Sequence, residues 1–152
     1  MKHFKSIALS LIVISMLSCE APSSAEIVLT AEQGKAIGPN IKYMPEWKAF
    51  GWFTSSDSVQ WNVDVKEAGS YDVFMEWSVD DKEAGKEYVL SAGNNQLEGS
   101  VGKSGSWETY KTEKIGTLRL ESGPQILTFK SKREFDKDGG LLDLRMLKLV
   151  KK

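Results

Sequence analysis

The sequence predicts an all-β protein, a β-sandwich of the jelly-roll kind, and three observations carry that expectation. First, Val59, Trp61, Val63 and Val65 alternate with Gln60, Asn62, Asp64 and Lys66. A period of two puts one face of a strand in a core and the other in water. Second, after Gly69 the alternation resumes through Tyr71, Val73, Met75, Trp77 and Val79, with Phe74 the apolar exception on the polar side. Third, turn residues recur about every 8–12 positions, and nothing after the N-terminal segment has a helical period.

The remaining elements follow in order. Glu26 to Leu29 reads as a short strand that Thr30 to Gln33 continues, and Gly34 to Pro39 reads as a turn. Ile41 to Phe53 is irregular and aromatic-rich, with Tyr43, Trp47, Phe50, Trp52 and Phe53. Asp80 to Gly85 is a charged loop. Tyr88 to Ser91 and Gln96 to Val101 form a hairpin about Gly93-Asn94-Asn95, a turn that needs positive φ. Gly102 to Ser106 is a flexible loop ending on Trp107. Tyr110 to Ile115 and Thr117 to Leu120 are strands, and Glu121 to Pro124 turns the chain. Gln125 to Lys130 alternates, and Ser131 to Gly140 is a polar loop. In the last strand, Leu142 to Val150, strict alternation places Leu142, Leu144, Met146 and Lys148 on one face, and Asp143, Arg145, Leu147 and Leu149 on the other.

The N-terminus is of a different kind. Lys2 and Lys5 precede an apolar run from Ile7 to Leu17, broken only by Ser10 and Ser15. A charged start, a short apolar stretch and small residues near a cut site make a secretory signal peptide. The run is shorter than the roughly 20 residues a membrane-spanning helix needs. Cys19, the sole cysteine, follows at once, and Met16-Leu17-Ser18-Cys19 resembles the bacterial lipobox imperfectly. A rival cut would follow Ala25, with Ser23 and Ala25 as its small residues, but it leaves Cys19 without a role. The expected organisation is a signal peptide over 1–18, a lipidated Cys19 and flexible tether over 19–25, and a β-sandwich over 26–152. The protein is then exported and held in the cell envelope, at the outer membrane or cell surface, by lipid chains.

Composition narrows the chemistry. Of 20 Lys and Arg, Lys2 and Lys5 leave with the signal peptide, so 18 remain against 21 Asp and Glu, a net charge of −3. That argues against nucleic acid, which needs a basic face. His3, the single histidine, also leaves. Ser-His-Asp and Cys-His catalysis and ordinary zinc sites are excluded. No metal and no cofactor is expected. Asp136-Lys137-Asp138-Gly139 starts like a calcium loop, but Leu147 stands where the twelfth-position glutamate belongs. Paired carboxylates for a small glycosidase are available by residue type, and are read as solvated acids. Trp61 and Trp77, on strands, are expected in the core. Trp52 and Trp107 sit at loop-to-strand junctions beside Gly and Ser, where rigid aromatic faces suit sugar rings.

Asp57 to Val65 with Glu67-Ala68-Gly69-Ser70-Tyr71-Asp72-Val73, Ser104 to Tyr110, and Leu118-Leu120-Glu121-Ser122-Gly123 together resemble, in order and spacing, the motifs of family 6 carbohydrate-binding modules and their galactose-binding-like relatives. The resemblance covers about Ile27 to Val150. It implies a galactose-binding-like jelly roll that is no enzyme and binds oligo- or polysaccharide. A sugar would be stacked on Trp52 and Trp107 and hydrogen-bonded by the residue at Asp143. There the family has asparagine, so this chain keeps an acceptor and loses a donor. The family's structural calcium is not expected, because its acidic start is Thr30-Ala31-Glu32 here and Arg145 stands at an acidic position. The competing expectation is a structural or protein-interaction lipoprotein that binds no sugar.

Overall fold

The computed structural model describes residues 24–152, so the stretch read as a signal peptide and Cys19 lie outside the described residues. Eleven strands run in order: β1 Glu26–Thr30, β2 Lys35–Ile37, β3 Lys42–Met44, β4 Ala49–Gly51, β5 Ser58–Val65, β6 Gly69–Ser78, β7 Glu87–Ala92, β8 Asn95–Ser100, β9 Lys111–Leu120, β10 Gly123–Ser131 and β11 Asp143–Lys151. They form two antiparallel sheets. One has the order β3-β4-β11-β6-β9, with β1 also paired to β11; the other is β2-β5-β10-β7-β8. Successive strands from β4 to β7, and again from β8 to β11, change sheet, which makes the architecture a jelly-roll β-sandwich.

The alternation in β5 and β6 explains the sandwich. Val59, Trp61 and Val65 point inward from one sheet, and Tyr71, Val73, Met75 and Trp77 from the other, all buried. The Trp61 indole N–H, taken into this interior, donates to the Thr30 carbonyl at 2.9 Å. Phe129 joins the layers, stacking on Tyr88 at 5.2 Å between centroids and meeting Phe53 edge-on at 5.9 Å. The β7–β8 hairpin closes through Gly93 and Asn94, with Gly93 at φ 57, as its sequence predicts.

Several elements differ from the sequence reading, each for a tertiary reason. Thr30 to Gln33 does not extend the first strand; Ala31–Gln33 is a single 3-10 turn, with the Gln33 side chain accepting the Thr30 N–H. Within Gly34 to Pro39, the three exposed residues of β2 pair with the edge of β5. The irregular stretch contains β3 and β4, too short to show a period. The two segments before and after Gly116 are one strand, β9. Val73 faces Gly116 and Phe74 faces Lys114, so Ile115 is an extra residue and Gly116, at φ 149, turns the bulge.

The largest difference is in β11. Leu144 pairs with Trp77 and Met146 with Glu76, which leaves Arg145 unpaired in a bulge. Strict alternation therefore fails. Leu142, Leu144, Leu147 and Leu149 are all buried, although the sequence pattern divides them between two faces.

Phe129→Ala should cost about 3–5 kcal/mol, because it empties the ring-filled space between Tyr88 and Phe53. Urea unfolding checks this: the midpoint should fall while the slope stays unchanged.

Candidate functional site

At the end of the sandwich where β4 and β6 stop and β9 and β11 begin, four loops converge. Small polar groups hold them. The buried Ser104 hydroxyl accepts the Val79 N–H at 2.8 Å and donates back to the Val79 carbonyl at 3.0 Å. Ser78 donates to the Trp107 carbonyl, and Asp81 accepts the Gly105 N–H at 3.0 Å. The loop after β8 is thus clamped to the loop after β6. On the facing wall, Asp57, only 2% exposed, accepts from the Thr54 N–H at 2.8 Å, the Thr54 hydroxyl at 2.7 Å and the Asn40 N–H at 3.2 Å. A buried carboxylate is tolerable only with such donors. The Leu141 N–H donates to the Phe53 carbonyl at 2.7 Å and ties in the loop before β11.

Between these loops lies a cleft of about 420 Å³. Its walls include Trp52, Trp107 and Asp143, the three residues singled out from the sequence, together with Asn40, Thr54 and Lys137. Trp52 is 60% exposed and holds φ 50. A bulky residue in the left-handed region is strained, and the surrounding structure must hold it there. The Lys42 ammonium stands 5.5 Å from its ring centre. Trp107 is half-buried and packs against the core. Its ring closes over Gly140, where a Cβ would come within 2.8 Å of Cη2.

Asp143 opens β11 opposite Ser78, close against the Gly51 backbone. Its side chain has no hydrogen bond or ion pair among the described residues. Burial first, and the Glu108 carboxylate second, push its carboxyl up to about 7. The cleft thus gathers two indoles, amide and hydroxyl groups, and one poorly solvated acid, a concave and mixed lining of the kind that holds small ligands.

A second aromatic group, not anticipated from the sequence, lies on the outer face of the same sheet. Trp47 stacks on Tyr110 with centroids 6.4 Å apart, and the Arg145 guanidinium sits 3.4 Å from the Tyr110 ring centre. Arg145 also pairs with Glu76 at 2.8 Å and donates to the Trp47 carbonyl at 3.0 Å. Trp47 and Tyr110 come from loops, so no periodic signal announces the cluster. These residues do not fit a calcium ion in the manner of the family resemblance: Arg145 brings a cation, and Ala31 beside exposed Glu32 is buried. Among the described residues no three acidic, His or Cys side chains gather as metal ligands.

No family pattern matches the sequence, and no curated protein is similar enough to count as a relative. Solved structures do match. The fold is shared with carbohydrate-binding modules. A family 35 module from Clostridium thermocellum is similar at a TM-score of 0.68 and 14% identity, over 85% of this chain and 100% of the module. A family 6 module of Cellvibrio mixtus lichenase 5A, in complex with cellotriose, is similar at 0.64 and 15% identity, over 83% and 97% of the two chains. An exo-β-1,3-galactanase from Phanerochaete chrysosporium, with galactose, is similar at 0.66 and 19% identity; the match covers 83% of this chain and 29% of that enzyme.

Asp143 makes stability depend on pH. Its folded-state pKa, raised from 3.8 to about 7, means the folded form holds the proton more tightly than the unfolded form. Stability should therefore fall as pH rises from about 4 to about 7, then stop changing on this account. Asp143→Asn should flatten that part of the profile in thermal melts across the range; an unchanged profile would assign the slope to other groups.

Proposed function

We propose that the domain is a non-catalytic carbohydrate-binding module, held in the cell envelope by lipid on Cys19, that stacks sugar rings on Trp52 and Trp107. The observation carrying this reading is the meeting of exposed, strained Trp52 with Trp107 and Asp143 in one loop-built cleft. Three residues distant in sequence converge on a concave site rather than on a flat apolar patch. Stacking takes the apolar faces of sugar rings, while Asn40, Thr54 and Asp143 supply hydrogen-bonding groups for hydroxyls. The likeness in fold to modules of families 35 and 6 supports the reading, and one of those modules is in complex with cellotriose. Two aromatics and a few hydrogen bonds give weak binding, about millimolar to micromolar, or roughly −4 to −8 kcal/mol.

Glycan-array screening followed by calorimetry tests the site. Trp52→Ala and Trp107→Ala should each weaken binding roughly tenfold. Equal binding by Trp107→Ala would move the site elsewhere, and no binding across a broad panel would favour a structural or protein-interaction lipoprotein. Anchoring is tested separately: Cys19→Ser should abolish incorporation of labelled fatty acid in cells.

A further inference from the structure

We propose that the cleft selects sugars bearing a protonated amine, which pairs with the Asp143 carboxylate. The inference rests on reading the cleft as a sugar site and adds the class of sugar. Asp143 is held in the wall by close approach of the Gly51 backbone, with a Cβ there only 3.0 Å from Oδ1. Its charge lacks a protein partner among the described residues. On its own strand, Arg145 is committed to Glu76 and to the Tyr110 ring. Across the pair on β6, Ser78 spends its hydroxyl proton on the Trp107 carbonyl. The loop before β9 brings Glu108, a second carboxylate, and Tyr110. From the loop before β11 come Lys137 and Asp138, one charge of each sign on the cleft wall and neither paired with Asp143, and on β3 Lys42 stands over Trp52.

A half-buried carboxylate with no donor of its own, in the field of a second acid, is relieved most by a cation. A neutral hydroxyl donates a hydrogen bond without offsetting the charge. An ammonium does both, and charge-assisted bonds are about twice as strong. A uronic acid would instead add a third carboxylate beside Asp143 and Glu108. The upward displacement of the Asp143 carboxyl agrees with this, since a facing cation would reverse it.

The test is calorimetry of the folded domain at about pH 7, where the Asp143 carboxyl, displaced to about 7, and the amine of glucosamine, which its ring oxygens hold below ordinary amines, are both part-charged. Three β-1,4-linked trimers, of glucosamine, glucose and glucuronic acid, serve as probes. The glucosamine trimer should bind about tenfold tighter than the glucose trimer, and the glucuronic acid trimer weakest. Asp143→Asn should erase the preference for the amine, and Trp107→Ala should weaken the amine and glucose trimers alike; melting curves check that both variants fold, with Asp143→Ser replacing an unfolded Asn variant. Equal or tighter binding of the glucose or glucuronic acid trimer overturns the inference but leaves sugar binding standing. An amine preference that survives Asp143→Asn or ignores Trp107→Ala is non-specific attraction to an acidic protein, and also overturns it. If glucosamine shows no Trp107-dependent binding, the inference fails, and the wider glycan panel alone decides whether the cleft binds sugar.

Discussion

The bulge at Arg145 in β11 is the constraint on which the rest depends. β11 is central to its sheet, with β6 along one side and β1 and β4 sharing the other. A regular strand could not bury both Leu144 and Leu147, because three positions separate them. One extra residue solves this. Leu142 and Leu144 fill the core at the loop end, Leu147 and Leu149 fill it at the other, and Asp143 remains free to face the cleft. The surplus residue is itself satisfied, through Glu76, the Trp47 carbonyl and the Tyr110 ring.

The cleft illustrates a division of labour among acids. Asp57 is almost wholly buried, but three donors meet it, so its charge holds the Asn40–Thr54 wall in place. Asp143 is half-buried beside Glu108 and has no such donors. The first arrangement is structural and complete within the protein. The second leaves an unmet charge where a ligand can reach it, in the company of a tryptophan in strained, exposed backbone. Unmet polar demand and strain beside a cavity are reasons to look for function there.

Much of the fold was legible because half-buried antiparallel strands write themselves as alternation. β5 and β6 carry it nearly without error, and the core positions of Trp61 and Trp77 follow from it. Short strands were not legible: β2, β3 and β4 have three residues each, fewer than two periods; β2 and β4 form against the longer β5 and β11, and β3 forms against β4. Bulges at Ile115 and Arg145 were hidden for the opposite reason. They break a period that was visible, and the break is imposed by which partner residue sits across the sheet.

Sequence by itself determined the class of fold, the inward faces of β5 and β6 and the residue types that can act chemically, since these depend on local pattern and composition. It also marked Trp52, Trp107 and Asp143 as candidates through flanking glycines, serines and family-like spacing. Tertiary structure alone decided that the three line one cleft, that Trp52 is exposed while Trp107 is half-buried, and that Asp143 lacks a partner. Those outcomes depend on loops from β4, β8 and β10 being clamped at one end of the sandwich by Asp57, Ser78 and Ser104. Contacts between residues so far apart in the chain leave no periodic trace in it.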